Sequence, residues 1–516
     1  MTIARRILFG AAASWFSRGL TIVLGLVLMP VLFRTLPHEE LGLWLLLGQS
    51  WATLGILDFG FGVTLTRRIA FAKGKSGSAP TAKLGEASRT EIADLVATGL
   101  RLYRGLALLA FAVSTGLGLL YLRSLELETV SLGAVWTGWA LLCLAQALTL
   151  WAAPWTCLLQ GVGHVGWDAL VGSFVHAITL LAQIAVALAG GGLVALAFVA
   201  AAGALVQRAA ILGFAKRKQP DLFSLRGRWR GDMLRSMAPL AGKAWLTAFG
   251  GILALNTDQF FVATFEGTRE LPAYRAAYVL LLNLNIAAVT FASASAVFVS
   301  HLWTEDRRTE VQDILINNLR IGLFLMAAGG GWLLGAGNQF FALWLGPGNF
   351  VGTPILAVFF VLLLLETQCF ICSTASRATE DEAFASSSIS GGLLKLLLSW
   401  ILVKPFGLLG VALATLAAQF ATNHWFMVWR SFGRLGVRTT DYAAKVALPT
   451  IFVFLAASVG TLGIVRAPIF EEPLPAVACS AMFAAAVLFG FAWCLALKPL
   501  QRQRLLDLFR KTGAAD

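Results

Sequence analysis

Charge is scarce in this sequence. Asp, Glu, Lys and Arg together make up 13% of its 516 residues against 58% hydrophobic residues, and the mean hydropathy is +0.77. A soluble fold carries about twice that share of charge, so the composition excludes a water-solvated enzyme or binding domain. Cysteine is also sparse. Cys143, Cys157, Cys369, Cys372, Cys479 and Cys494 all lie in or at the ends of apolar segments, with no paired extracellular framework, and no structural disulfide is expected. Cys369 and Cys372 form a CxxC inside an apolar helix without nearby histidines or a second pair, which reads as packing. The histidines lack metal spacing, so neither a metal nor another cofactor is expected. Gly74-Lys75-Ser76 resembles the end of a phosphate loop, but the first glycine of that motif would fall at Ile69 and no strand precedes it.

What is abundant is apolar sequence in runs long enough to cross a bilayer. A helix needs about 20 mostly apolar residues to span the hydrocarbon layer, and such windows recur near 8–33, 41–64, 103–122, 132–158, 169–189 and 193–214, then near 237–264, 273–300, 320–343, 353–376, 384–403 and 408–429. A further pair lies near 446–465 and 475–497. The expectation is an all-α polytopic membrane protein with about 14 transmembrane helices. Arg5 and Arg6 before the first run look like the start of a signal peptide, but the run continues to Phe33, too long for a cleaved segment.

The net charge of +13 would suggest nucleic acid in a soluble protein. Here the cations fall in alternate loops, about 30 of the 40 on one side, which is the positive-inside pattern of a polytopic membrane protein with both termini cytoplasmic. Connections on the other side are short, as at Gly190–Gly192 and Lys404–Gly407. They leave no room for the substantial outer loop that a membrane glycosyltransferase or polymerase uses for catalysis, so an enzyme is not expected.

Weak repetition divides the chain. Leu36-Pro37 with Leu41-Gly42-Leu43-Trp44 matches Leu271-Pro272 with Tyr274 to Tyr278, and Gly190 to Ala197 matches Pro405 to Ala414. These matches imply two six-helix halves of like orientation. The expected organisation is an N-terminal bundle at 1–218, a second bundle at 219–433, an extra helix pair at 434–500 and a cytoplasmic tail at 501–516.

Three passages carry a family likeness. Leu41-Gly42-Leu43-Trp44 through Leu57-Asp58-Phe59-Gly60-Phe61-Gly62 to Arg67-Arg68-Ile69-Ala70 resembles the second span and following turn of the bacterial O-antigen and polysaccharide flippases, the Wzx-like transporters of the MOP exporter superfamily. Asn256-Thr257-Asp258-Gln259 followed by Tyr274 to Tyr278 resembles that family's seventh span and the start of its eighth, and Pro405-Phe406-Gly407-Leu408-Leu409-Gly410-Val411-Ala412 resembles its eleventh-to-twelfth connection. The resemblance implies a MATE-like fold of two six-helix bundles around a cavity that opens alternately to each side. It also implies a substrate such as an undecaprenyl-diphosphate-linked oligosaccharide. Drug and cation antiporters of the superfamily usually have twelve spans and often an acid in the first; here the first span carries Arg18 and no acid. The lipid II flippases and the antiporters are the alternatives.

Ionisable groups at bilayer depth cost about 2.5–3.5 kcal/mol each on insertion scales, so each must face a cavity or a partner. Arg18, Lys243, Arg275 and Lys395 are the candidates for a cationic cavity that replaces the hydration of a diphosphate. Arg275 is close enough to the outer boundary to snorkel, and Lys395 has Glu366 or Asp258 as a possible partner. Asp58, Asp258, Glu366 and His176 are the candidates for proton or sodium coupling, and Asp58 has an ordinary capping role as its alternative. Trp15 and Trp245, near Arg18 and Lys243, are candidates for stacking on sugars. The partners expected are membrane lipid, the lipid-linked anionic oligosaccharide, H+ or Na+, and polymerase or glycosyltransferase proteins, with no nucleic acid.

Overall fold

The computed structural model describes residues 3–75, 85–218, 220, 227–379, 381, 383–470 and 472–496. The expected tail at 501–516 lies outside them. Among the described residues the chain is all helix, turns and connections, with no strand. Contact density divides it into two compact units, Met1–Pro272 and Ala273–Asp516.

The first unit contains α1 (Ile3–Thr35), α2 (His38–Thr53), α3 (Phe61–Gly74), α4 (Glu86–Arg123), α5 (Leu132–Val162), α6 (Val165–Leu188), α7 (Leu193–Lys218), α8 (Gly231–Leu255) and α9 (Asp258–Phe265). Helix α5 is its axis, packed by α3, α4 and α7, while α1 packs on α6. In lipid the hydrophobic effect does not drive helices together, so close approach through small residues has to. Gly138 of α5 meets Ala197 of α7, and Gly99 of α4 meets Leu65 of α3 and Pro154 of α5.

Two adjacent acids tie the start of α2 to the connection before α5 and to the start of α7. Glu39 accepts hydrogen bonds from the backbone N–H of Glu128 and of Thr129, both at 2.8 Å, and from the Thr129 hydroxyl. Glu40 accepts from the N–H of Leu193 at 2.6 Å, satisfying an orphan donor at the start of α7. Glu39 precedes the expected second span. Burial raises its pKa, but the donors from Thr129 and Glu128 and the charge of Arg269 outweigh that, and the pKa is lowered from its ordinary 4.5.

The second unit contains α10 (Leu271–Thr304, which begins at the boundary), α11 (Arg308–Leu345), α12 (Thr353–Arg377), α13 (Ala385–Gln419), α14 (Trp425–Leu435), α15 (Thr439–Tyr442), α16 (Leu448–Val465) and α17 (Pro473–Phe491). Three five-residue π-turns, Phe420–His424, Ala443–Ala447 and Ala492–Ala496, interrupt it. Helix α11 is the axis here, packed by α12, α16 and α17. Its glycines explain why: Gly330 lies against Phe360 of α12, and Gly331 and Gly335, four residues apart, lie against Ala457, Ser458 and Thr461 of α16. Proline in the first turn starts α12, α16 and α17, where its missing N–H costs no hydrogen bond.

Ten helices among the described residues are long and apolar enough to cross a bilayer. At the first and seventh expected spans stand α1 and α8, helices of 33 and 25 residues whose side chains are only partly among those described; the second expected span is broken into the shorter helices α2 and α3, and the eleventh and twelfth run on as one segment, Ala385–Leu435. That segment kinks at Gly407, with φ 56° and ψ −136°, after Pro405, where the sequence predicts the connection.

Candidate functional site

Unit 1 and unit 2 each hold a cluster of polar side chains at a break in a helix. In the first unit the break is in the second span. Helix α2 gives way to a 3₁₀ turn, Leu54–Asp58, and Phe59 and Gly60 then adopt left-handed conformations with φ 52° and 75°. Asp58 holds the corner. Its carboxylate accepts from the N–H of Gly60 at 2.5 Å and of Gly62 at 3.1 Å, two orphan donors at the start of α3, and from the Tyr103 hydroxyl at 3.4 Å.

Helix α8 clamps the same corner. Trp245 donates from Nε1 to the Ile56 carbonyl at 3.0 Å, and its ring lies 5.3 Å from that of Phe59 and 5.0 Å from that of Phe249. Gly60 is held against α8 so closely that a Cβ there would overlap the Ala241 carbonyl. The indole that the sequence offered as a sugar platform is thus engaged in the fold.

Beyond the clamp, α8 itself breaks at Asn256 and Thr257. Gln49 of α2 donates to Asn256 Oδ1 at 2.6 Å, and Asp258 and Gln259 are buried at the start of α9. Both amide atoms of Gln259 are buried without a hydrogen-bond partner among the described residues. Adjacent to this break is a cavity of about 380 Å³ with mostly apolar walls, among them Leu117, Trp139, Phe249 and Phe260, and the Tyr121 side chain at its edge.

A polar network that sequence reasoning missed links α5, α6 and α7. Gln160 donates to Asp168 Oδ2 at 2.8 Å, and Arg208 donates to the Thr156 hydroxyl at 2.9 Å. The signal was available: an arginine inside the sixth expected span, with one acid at the start of the fifth.

The second unit's cluster is built on the π-turn Phe420–His424. Lys395 of α13 is completely buried, with 0% exposure. One turn before it, Gly391 lies against Thr422 and Asn423 of the π-turn, and one turn after it Ser399 is also fully buried. Asn423 donates to Gln419 Oε1 at 2.5 Å. His424 is buried with its Nε2 3.4 Å from Glu366 Oε1 of α12, and Cys369 Sγ sits 3.8 Å from the His424 carbonyl. A π-turn widens the helix by one residue and rotates the next turn of chain about the axis, which is how His424 comes to face Glu366.

The eight expected site residues therefore fall in several places. Glu366 and Lys395 belong to the same polar region of unit 2. Arg275 of α10 is half-buried with its guanidinium 5.5 Å from the Tyr278 ring centre. Asp58 and Asp258 sit at the two helix breaks of unit 1, and His176 is exposed on α6. The side chains of Arg18 and Lys243 lie outside the described residues; their backbones are in α1 and α8. Among the described residues no group of three or more metal-ligating side chains is gathered.

Long apolar helices in two units, some of them broken at buried polar groups, define a polytopic all-α membrane protein. No protein-family model and no curated protein sequence matches the chain. Solved structures do. The lipid II flippase MurJ, in an inward closed conformation, is 14% identical with a TM-score of 0.68 over 94% of this chain and 98% of that one. An inward-facing multidrug resistance MATE transporter of the MOP superfamily is 13% identical with a TM-score of 0.63 over 83% and 98%. A MOP superfamily transporter from Pyrococcus furiosus is 13% identical with a TM-score of 0.59 over 84% and 95%. This chain has the fold that these MOP superfamily transporters and flippases share.

Proposed function

We propose that the protein is a flippase that moves a lipid-linked oligosaccharide of the undecaprenyl-diphosphate type across the bacterial inner membrane by alternating access, for cell-surface polysaccharide synthesis. The observation that supports this reading is the fold, which the lipid II flippase MurJ shares over 94% of this chain. Lys395, buried in α13 with 0% exposure, is the proposed cation for the diphosphate. Arg18, Lys243 and Arg275 complete the proposed substrate set. Glu366, with His424 beside it, is the proposed centre of ion coupling, with Asp258 and His176 as further coupling groups; Asp58, the remaining candidate, is given the capping role at the start of α3. The proposed organisation is fourteen spans, six at 1–218, six at 219–433 and a pair at 434–500, with both termini cytoplasmic and with polymerase or glycosyltransferase proteins as partners.

The test is deletion in the native host. Lipid-linked oligosaccharide should accumulate on the cytoplasmic side, and a chain carrying Arg18→Gln with Lys243→Gln should fail to relieve it. No accumulation, together with altered drug sensitivity, would transfer the reading to a drug or cation antiporter. Lipid II transport is a second reading, favoured by the extent of the likeness: MurJ matches 94% of this chain, whereas the MATE transporter matches 83%. Accumulation of lipid II in the deletion host would select it.

A further inference from the structure

The basic end of the second unit carries a groove that the transport reading leaves unused. Its polar part is a pocket of about 260 Å³ lined by Asp313, Asn317 and Arg320 of α11, by Arg438, Asp441 and Lys445 around α15, and by Leu495. Its apolar part is a pocket of about 540 Å³ along α14, walled by Trp425, Val428, Trp429, Phe432 and Tyr442. Val437 lines both, so the two parts adjoin.

The polar part is built. Arg320 donates from Nε to the Lys445 carbonyl at 2.8 Å and from Nη1 to the Leu495 carbonyl at 2.7 Å, which fixes its guanidinium against both π-turns that flank the last helix pair. Lys445 Nζ is 3.2 Å from Asp441 Oδ1. Arg438 is exposed and makes no ion pair among the described residues. Three cations thus face two carboxylates, Asp313 and Asp441, which leaves the pocket with an excess of positive charge.

The apolar part is open: Trp425 and Trp429, four residues apart on one helix face, are 57% and 67% exposed. Exposed indoles at a membrane boundary are ordinary belt residues, but a belt alone leaves the adjoining cationic pocket unexplained. An apolar trough ending in a cationic pocket has the shape and charge of an anionic amphiphile. We propose that this groove binds an anionic phospholipid of the cytoplasmic leaflet, with its phosphate at Arg438, Lys445 and Arg320 and an acyl chain along Trp425 and Trp429. The leaflet is assigned from the charge asymmetry of the loops, and the proposal does not depend on which substrate is transported.

The experiment is native mass spectrometry of the full chain in detergent, with phosphatidylglycerol and phosphatidylcholine of identical acyl chains. Phosphatidylglycerol should be retained preferentially. Arg438→Gln and Lys445→Gln should each lower that retention about fivefold, while Trp425→Ala with Trp429→Ala should lower retention of both lipids. These side chains are exposed, and circular dichroism establishes that the variants keep their helix content. Equal retention of the two lipids, or undiminished retention in Arg438→Gln/Lys445→Gln, overturns the proposal. So does displacement by inorganic phosphate, which would make the pocket a free-phosphate site, or by a polyprenyl phosphate at equal concentration, which would make the groove part of the transported lipid's path.

Discussion

Lys395 and Glu39 are charged side chains with little or no exposure, and the proposed function gives them different ends. Glu39 has every donor it needs from Glu128 and Thr129, so its burial is structural. Its lowered pKa means that the stabilisation is present above the ordinary carboxylate pKa and is lost as pH falls through the folded value. Glu39→Gln should therefore lower the melting temperature at pH 7, with a loss of about 1–3 kcal/mol, and should shrink the difference in melting temperature between pH 7 and pH 4. An unchanged pH dependence would remove the structural role. Lys395 sits fully buried within a long apolar helix, and on the transport reading its charge acts on the substrate. Lys395→Met should then lower oligosaccharide translocation about tenfold, equivalent to about 1.4 kcal/mol, with the melting temperature kept. Restored transport in Lys395→Arg would confirm that charge is what matters. Lys395 and Glu366 were legible in the sequence because a charge inside an apolar run needs no structure to be noticed. Glu39 and Glu40 were not, since their partners lie about 90 and 153 residues further along the chain. His424 was not, since its placement beside Glu366 depends on a π-turn that periodicity does not encode.

At the scale of elements, the break between α2 and α3 is the most over-determined place in the first unit. The left-handed Phe59 and Gly60, the Asp58 carboxylate and the Trp245 indole all hold one corner. Gly60→Ala should cost about 1–3 kcal/mol, because the new methyl meets the Ala241 carbonyl in a conformation that disfavours a side chain. Gly55→Ala, in the same turn but with open space at its Cβ, should be close to neutral in thermal unfolding. Equal effects would mean that the clamp is not under tension. Asp58→Asn should lose about 1 kcal/mol of capping and leave the pH profile of transport unchanged; a flattened profile would return Asp58 to the coupling groups. The apolar window at 41–64 ran the second span through Leu57-Asp58-Phe59-Gly60, while the motif itself read as the span and its following turn, with capping as the alternative role of Asp58. The structure shows a break between two helices there, because Asp58 satisfies the donors of a new helix start and glycine supplies the turn.

At the scale of the whole molecule, the last helix pair is where the flippase and antiporter readings part. On the sequence reading drug and cation antiporters usually stop at twelve spans, so the proposed extra pair at 434–500 is the part with the least reason to be present in an antiporter. It is attached through α11. Gly331 and Gly335 admit Ala457, Ser458 and Thr461 of α16, Trp332 Nε1 donates to Ser480 Oγ of α17 at 3.0 Å, and Arg320 caps the carbonyls of Lys445 and Leu495. Gly335→Leu would drive a branched side chain into the Thr461 side chain, which already sits 2.7 Å from where a Cβ would be, and push α16 outward while the contact of α11 with α12 through Gly330 is kept. If the pair serves a lipid-linked substrate, this variant should reach the membrane in normal amount and lose most of its oligosaccharide translocation, and Gly329→Leu, directed at Leu284 of α10 and away from the pair, should instead cost expression or thermal stability. Full translocation by Gly335→Leu would show that the pair is dispensable for transport and would leave the flippase reading without its whole-molecule argument.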